Sequence, residues 1–225
     1  MLLKLSDCSL GLRLFVQRFF RLTNSYHPNI TTLNSESIDS RGSKGRLQSI
    51  FSAIDINSSH SVIDIGSNHG FFSISLAKCG AFVLALEKNT PEYLYSTSLA
   101  SSSSLQNISF YRMNVDLALL QSLPTVDIIL CLSIFHHWVK QYGKDHALDM
   151  LRCACSKANT AFIFDSGQPE EYGTQWPNYL EFMKPSGPEW IHSFLSSLGF
   201  VDVRCLGEFP TTISSVNRSL FIAFR

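Results

Sequence analysis

Residues 61–73 read Ser-Val-Ile-Asp-Ile-Gly-Ser-Asn-His-Gly-Phe-Phe-Ser, and this stretch decides the fold. Its first part, 62–65, is a short apolar run rich in β-branched residues, typical of a strand buried on both faces. Gly66 and Gly70 then bracket a tight turn, and the apolar run 71–77 predicts a helix. A strand, a glycine turn and a helix in this order form the first unit of a doubly wound α/β domain. Such a turn lets a ligand approach bare backbone beside helix N–H groups.

The turn does not contain the G-x-G-x-x-G pattern of dinucleotide-binding proteins. It has instead the spacing Asp64-x-Gly66-x-Asn68-x-Gly70. This spacing resembles motif I of the class I S-adenosylmethionine-dependent methyltransferases, in which an acidic residue is followed by glycines at every second position. Asn68 replaces the central glycine, and Asn is the non-glycine residue that best tolerates a positive φ angle. The resemblance implies that Gly66, Ser67, Asn68 and Gly70 let the backbone approach the methionine part of the cofactor. Asp64 would hold the turn or meet the cofactor ammonium.

Length and composition indicate one globular domain with appendages. The chain has 225 residues, 45% of them hydrophobic and 16% charged, and its formal net charge is zero. No basic surface is therefore expected to bind nucleic acid.

The cysteines and the N-terminal region bear on location. The six cysteines form no CxxC pair, so we expect buried free thiols in a reducing cytoplasm. No apolar run is long enough for a transmembrane span. Residues 2–22 predict a basic amphipathic helix that packs on the domain, contacts a partner or lies on a membrane surface. A polar linker or lid would complete an N-terminal region of residues 1–43, before a methyltransferase domain over 44–225.

Acidic side chains follow two more predicted strands. Glu87 ends the run 81–86, and an acid at this strand end can accept hydrogen bonds from both ribose hydroxyls. The alternative role for Glu87 is a carboxylate that serves the next helix. Asp116 follows a third strand over 108–113, and the resemblance implies that it binds the adenine amino group, with Asn114 as the alternative. Asp116 is also a suitable N-cap for a helix that begins at 117.

The fourth strand, 126–132, runs into Leu132-Ser133-Ile134-Phe135-His136-His137-Trp138. This segment resembles the post-strand segment of many small-molecule methyltransferases, which lines the pocket between sulfonium and acceptor. The resemblance makes Leu132 and Ser133 cofactor-binding candidates. His136 or His137 could remove a proton from an acceptor hydroxyl, because the histidine pKa lies near working pH. Both could equally well pack the pocket wall, and adjacent residues cannot both face the same way.

A metal site at the two histidines would need a third ligand. His69 or Asp165 could supply one, but no spacing requires it, so we expect no metal.

The rest of the chain completes an α/β pattern. A helix over 145–156, a fifth strand over 160–164 and a helix over 189–198 precede strands at 200–207 and 218–225. A loop joins the last two strands, so they should pair antiparallel as a hairpin. The fold class is therefore a doubly wound, seven-stranded, mostly parallel sheet with helices on both faces. The resemblance implies the strand order 3-2-1-4-5-7-6, with the last strand antiparallel.

The predicted function is methyl transfer from S-adenosyl-L-methionine to a small-molecule or saccharide acceptor, at a hydroxyl oxygen. The insertion over 168–188 is rich in aromatic and acidic residues, and it could form a lid that grips a polar ring or simply a packed loop. Two alternatives are a non-catalytic partner subunit with the same fold and an NAD-linked enzyme. The missing G-x-G-x-x-G pattern argues against NAD.

Overall fold

The computed structural model describes residues 42–225. The predicted N-terminal helix over 2–22, and the linker up to residue 41, lie outside the described residues. None of the helices within 42–225 has the length and apolar character needed to cross a membrane.

The described chain alternates strands and helices. The strands are β1 Ser61–Ile65, β2 Phe82–Glu87, β3 Ile108–Arg112, β4 Val126–Leu132, β5 Ala158–Asp165, β6 Asp202–Phe209 and β7 Arg218–Phe224. The helices are α1 Ser43–Ala53, α2 Phe71–Lys78, α3 Thr90–Ser102, α4 Leu117–Ser122, α5 Phe135–Tyr142, α6 Lys144–Ser156, α7 Trp176–Tyr179 and α8 Gly187–Ser197, with a 3-10 turn at Glu181–Met183.

The sheet has the order β3-β2-β1-β4-β5-β7-β6, which confirms the predicted fold. Strands β1 to β5 are parallel, and β7 pairs antiparallel with both β5 and β6. At the centre, Ile63 of β1 pairs with Leu84 of β2 and with Ile129 of β4. Strands β2 and β3 lie on one side of β1, and the chain crosses to the other side to form β4 and β5. Open α/β sheets bind ligands at such a switch point, at the carboxyl ends of the strands.

Alternate residues of the central strands pack into two separate cores, one on each face of the sheet. Ile63 and Ile129 face a core with helices α5, α6 and α8. Val62 and Ile128 face a second core with α1 and α2. This two-sided burial explains why these strands are almost continuously apolar in sequence.

The segment 168–188 is packed against the domain. Trp176, Leu180 and Met183 within it are all buried. Ser186 caps α8 through a bond from the Glu189 N–H, so this helix begins two residues earlier than predicted. Much of the segment is therefore part of the core on the α5–α8 face, as in the packed-loop alternative.

The expectation of buried thiols is only partly correct. All five cysteines among the described residues are free, and Cys131 and Cys155 are buried. Cys79 and Cys205 are exposed, because one follows the end of α2 and the other lies on the edge strand β6.

Candidate active site

A cavity of about 530 Å³ opens at the carboxyl edge of the sheet, where β1, β2 and β4 end. The sequence candidates that line it are Asp64, Gly66, Ser67, Asn68, Glu87, Asn114, Leu132, Ser133 and His137. Its volume lies in the range of small-molecule sites. The topology therefore brings together most of the residues predicted from separate parts of the sequence.

The turn after β1 forms one wall of the cavity. Gly66, Asn68 and Gly70 have φ angles of 77°, 50° and 76°. A Cβ atom on Gly66 would lie 2.1 Å from Ile134 Cδ1, so a side chain here would have to displace Ile134 as well as strain the backbone. Asn68 adopts the left-handed conformation that its replacement of a glycine requires.

Glu87 is buried at the end of β2 and is held by backbone. Its Oε2 accepts a hydrogen bond from the Asn68 N–H at 2.8 Å, and its Oε1 accepts one from the Asn89 N–H at 2.7 Å. Burial raises the pKa of the carboxyl group, although these hydrogen bonds oppose the rise. Glu87 thus fixes the two loops that flank the cavity and also presents a carboxylate to it.

Asp64 lies beneath the turn and is only 3% exposed. Its Oδ2 accepts a hydrogen bond from the Ser73 hydroxyl, one turn into α2. Burial raises the pKa of Asp64 to about 6, the Ser73 hydrogen bond opposes the rise, and the nearby Glu87 adds to it. The carboxyl group can therefore gain or lose a proton close to neutral pH.

The third predicted acid does not line the cavity. Asp116 is the N-cap of α4, and its Oδ1 accepts a hydrogen bond from the Leu119 N–H at 2.9 Å. Asn114, the alternative, does line the cavity, and its Nδ2 donates to the Tyr142 hydroxyl at 3.0 Å. The structure thus gives Asp116 the capping role that its position also allowed.

The adjacent histidines face different surroundings. His137 lines the cavity and is the more exposed of the two, although its ring is partly buried. His136 is buried, and its Nδ1 accepts a hydrogen bond from the Gly167 N–H at 2.9 Å. Because Nδ1 is the acceptor, the ring proton of neutral His136 is on Nε2. His136 therefore packs behind the cavity wall, and of the two rings only His137 can meet a ligand there.

Both imidazoles are kept neutral. The pKa of His136 lies well below its usual value because the ring is buried and Arg218 is near. The pKa of His137 is lowered by partial burial and by the positive charges of Lys88, Arg218 and Lys140. A neutral imidazole can accept a proton, but the pKa of about 4 makes His137 a weaker base than the sequence analysis expected from an ordinary histidine.

Neither of the suggested third metal ligands joins the histidines. Asp165 is paired with Arg46, and the His69 ring lies 5.0 Å from that of Tyr95. Across residues 42–225, no group of three His, Cys, Asp or Glu side chains is placed to hold a metal ion.

The site contains two buried ion pairs that the sequence analysis did not predict. Arg46 Nη1 lies 2.6 Å from Asp165 Oδ2, and Arg218 contacts both carboxylate oxygens of Glu171 at 2.7 and 2.8 Å. Ser133 joins the pairs, because its hydroxyl donates to Asp165 Oδ1 at 2.7 Å and accepts from Arg218 Nη1 at 3.2 Å. One pattern could have indicated Arg46, which precedes the core residue Ile50 by one helical turn and so lies on the buried side of α1.

Comparison with protein-family models and with curated protein sequences finds no match. Among solved structures, the bifunctional kinase-methyltransferase WbdD superposes with a TM-score of 0.76 and 23% identity over 92% of this chain. The chain spans 45% of that WbdD chain. Magnesium protoporphyrin IX methyltransferase (ChlM) from Synechocystis PCC 6803, with bound SAM, superposes with a TM-score of 0.64 and 20% identity over 92% of this chain and 90% of its own. The chain has the fold of the class I S-adenosylmethionine-dependent methyltransferases.

The conformation of Asn68 leads to a stability prediction. Asn68→Gly should leave the free energy of unfolding within about 0.5 kcal/mol of the original, since glycine adopts this φ freely. Asn68→Val should lower it by about 1–3 kcal/mol, because a β-branched residue is strained at positive φ. Urea unfolding measures both changes. Equal stability of the two variants would show that the turn can relax away from the left-handed conformation.

Proposed function

We propose that the chain is an S-adenosylmethionine-dependent methyltransferase that acts on a small-molecule or saccharide acceptor, at a hydroxyl oxygen. The observation that carries this proposal is the meeting of the glycine turn and the buried Glu87 carboxylate at one cavity. We also propose a cytoplasmic location, because free thiols suit a reducing compartment. Residues 2–22 remain a proposed contact for a membrane surface or a protein, and we expect no nucleic acid partner.

The residues of the cavity fit the cofactor. Gly66 and Asn68 line the cavity in a turn with positive φ angles, so ligand atoms could approach the turn backbone closely. Glu87 would accept hydrogen bonds from the ribose hydroxyls, and Asp64 would hold the turn or meet the ammonium group. Asn114 lies at the end of β3, where it would meet the adenine. Gly66, Ser67 and Asn68 would flank the methionine part, while Leu132 and Ser133 would close the side toward the acceptor.

Bound S-adenosylmethionine supplies a methyl group on a reactive sulfonium centre. The chain must hold the acceptor oxygen in line with that methyl group and keep water away, since orientation accounts for much of such catalysis. His137 is the only one of the two predicted histidines that lines the cavity, and as a neutral imidazole it would take the hydroxyl proton. His137 would hold the hydroxyl proton once the acceptor oxygen has received the methyl group, so the positive charge lost at the sulfonium would reappear on the imidazolium.

Cofactor binding tests the proposed role of Glu87. Titration calorimetry should detect binding of S-adenosylmethionine, and Glu87→Gln should weaken it by about 10- to 100-fold, since hydrogen bonds to a charged group contribute about 1.5–3 kcal/mol. Glu181→Gln serves as the matched control, because this carboxylate is exposed in a surface pair with Lys184.

Two outcomes would favour the alternative functions, a non-catalytic subunit or an NAD-linked enzyme. A folded protein that binds no S-adenosylmethionine would favour a non-catalytic subunit. Tighter binding of NAD than of S-adenosylmethionine would favour an NAD-linked enzyme. The thermal unfolding midpoint of Glu87→Gln should be recorded as well, because this residue also bonds two loop N–H groups.

The raised pKa of Asp64 predicts that binding of S-adenosylmethionine releases a proton from its carboxyl group. At pH 6 the carboxyl group is about half protonated, and a cationic ligand favours its charged form. Binding of S-adenosylmethionine at pH 6 should therefore release about half a proton from this group, and affinity should fall as the pH drops below 6. Calorimetry in buffers of different ionisation enthalpy measures the release. Cofactor binding to the Asp64→Asn variant should release fewer protons than binding to the control variant Asp149→Asn. Equal proton release in these two variants would exclude this role of Asp64.

A proton acceptor at His137 predicts a selective loss of turnover. In a methyl-transfer screen against sugars, phenols and carboxylic acids, His137→Gln should lower the rate with a hydroxyl acceptor by about 10²- to 10⁴-fold. Its affinity for S-adenosylmethionine should stay unchanged. His192→Gln, an exposed position on α8, is the control. Unchanged turnover in His137→Gln would remove this residue from the mechanism.

A further inference from the structure

A second, much smaller cavity adjoins the main one beside Ser133. Its volume is about 20 Å³, which is room for one water-sized group. Arg46 and Ser133 line both cavities, and Arg218 lines the smaller one. Two guanidinium groups therefore meet at the end of the site that lies past β4, on the side where an acceptor would approach the cofactor.

The two guanidinium groups are fixed in place. Arg46 and Arg218 are 8% and 7% exposed, and their partners Asp165 and Glu171 are fully buried. Arg218 binds Glu171 through two parallel N–H donors, a geometry that fixes the plane of the guanidinium. Donors that are already oriented lose little freedom when they bind a planar or tetrahedral oxyanion.

Cations also lie near His137. Burial lowers the pKa of this ring most, and Lys88, Arg218 and Lys140 lower it further. Arg218 also lowers the pKa of the buried His136. The acids that line the main cavity are Asp64, Glu87 and Glu92, at the ends of β1 and β2 and in α3. At the other end each guanidinium group is paired with a buried carboxylate, so the formal charges balance and recognition of an oxyanion would depend on the oriented N–H donors.

We propose that this end of the site binds an oxyanion, a carboxylate or a phosphate, that the methyl acceptor carries. Arg46 and Arg218 would donate hydrogen bonds to the oxyanion, with one of its oxygens in the small cavity beside Ser133. The proposal rests on the proposed methyl transfer, and it narrows the acceptor class from small molecules in general to acidic ones, such as an acidic or phosphorylated sugar.

A bound anion would also change His137. Its negative charge would offset the nearby cations and raise the pKa of the ring toward the usual histidine range, because an opposite charge favours the protonated form. His137 would then be a stronger base when an acidic acceptor is bound than in its absence. This coupling would favour proton removal from the correct substrate.

The competing explanation is purely structural. The ion pairs could serve only to fasten α1 and the 168–188 segment to the sheet, since Arg46 belongs to α1 and Glu171 to that segment. In that case removal of one partner would destabilise the fold, while acidic and neutral compounds would bind equally well.

The test uses the whole chain saturated with S-adenosylhomocysteine, so that no turnover occurs. Glucose 6-phosphate, glucuronate and glucose are titrated by calorimetry, the first two as phosphate and carboxylate probes and the third as the neutral control. We expect at least one acidic sugar to bind about tenfold or more tightly than glucose, in line with the strength of charge-assisted hydrogen bonds. The preferred probe identifies phosphate or carboxylate as the group recognised.

Variants separate recognition from folding. Arg46→Lys keeps the positive charge beside Asp165 but loses the planar donor geometry, and it should lose about tenfold in affinity for the acidic sugar. Should it fail to fold, the neutral pair Arg46→Gln with Asp165→Asn provides the same test without an unpaired buried charge. Arg152→Gln, from an exposed pair with Asp149, is the control and should bind normally.

A second readout follows the His137 ring by NMR titration. Saturating acidic sugar should raise the pKa of His137 in the original chain, and this rise should be smaller in Arg46→Lys. Equal affinity for acidic and neutral sugars, with S-adenosylhomocysteine bound normally, would overturn the oxyanion site and leave the methyltransferase proposal standing. Failure of S-adenosylhomocysteine to bind a folded chain would overturn the proposed function, and the oxyanion proposal with it.

Discussion

The double hydrogen bond from backbone to the Glu87 carboxylate is the interaction on which the cavity depends. One carboxylate oxygen binds the N–H of Asn68 in the turn after β1, and the other binds the N–H of Asn89 in the loop after β2. Two loops from neighbouring parallel strands are thereby held at a fixed separation. A buried carboxylate is costly unless such donors surround it, so the side chain and the two loops stabilise one another. The open space between these loops and β4 is the candidate active site.

The parts of the fold that depend on short-range pattern could be predicted from sequence. The apolar run at 62–65, the helical spacing after Gly70 and the acid at the end of β2 each carry their own local signal. The hairpin of β6 and β7 was predictable because the connection between them is a loop without a helix. These elements could be predicted without knowledge of contacts between distant parts of the chain.

The remaining features depend on contacts that no local pattern encodes. Asp116 has the chemistry of both an adenine ligand and an N-cap, and only the position of the Leu119 N–H decides between them. The choice between His136 and His137 is made by Gly167, whose N–H binds the His136 ring from the end of a different strand. The pairing of Arg46 with Asp165 spans 119 residues, and nothing near either residue identifies its partner. Sequence reasoning therefore identified the cavity residues at the ends of β1 and β2 better than the ion pairs beyond β4.

The reversed direction of β7 has a consequence for the order in which the site can form during folding. Because β7 is antiparallel, its first residue, Arg218, reaches the edge where the parallel strands finish. The wall made by the turn after β1 and by Glu87 uses residues close together in the chain, so little loop entropy opposes its formation. The arginine end needs contacts of high sequence separation between α1, β5 and β7, and such contacts slow folding. The arginine end of the site is therefore complete only when both ends of the described chain, α1 and β7, have docked on the sheet.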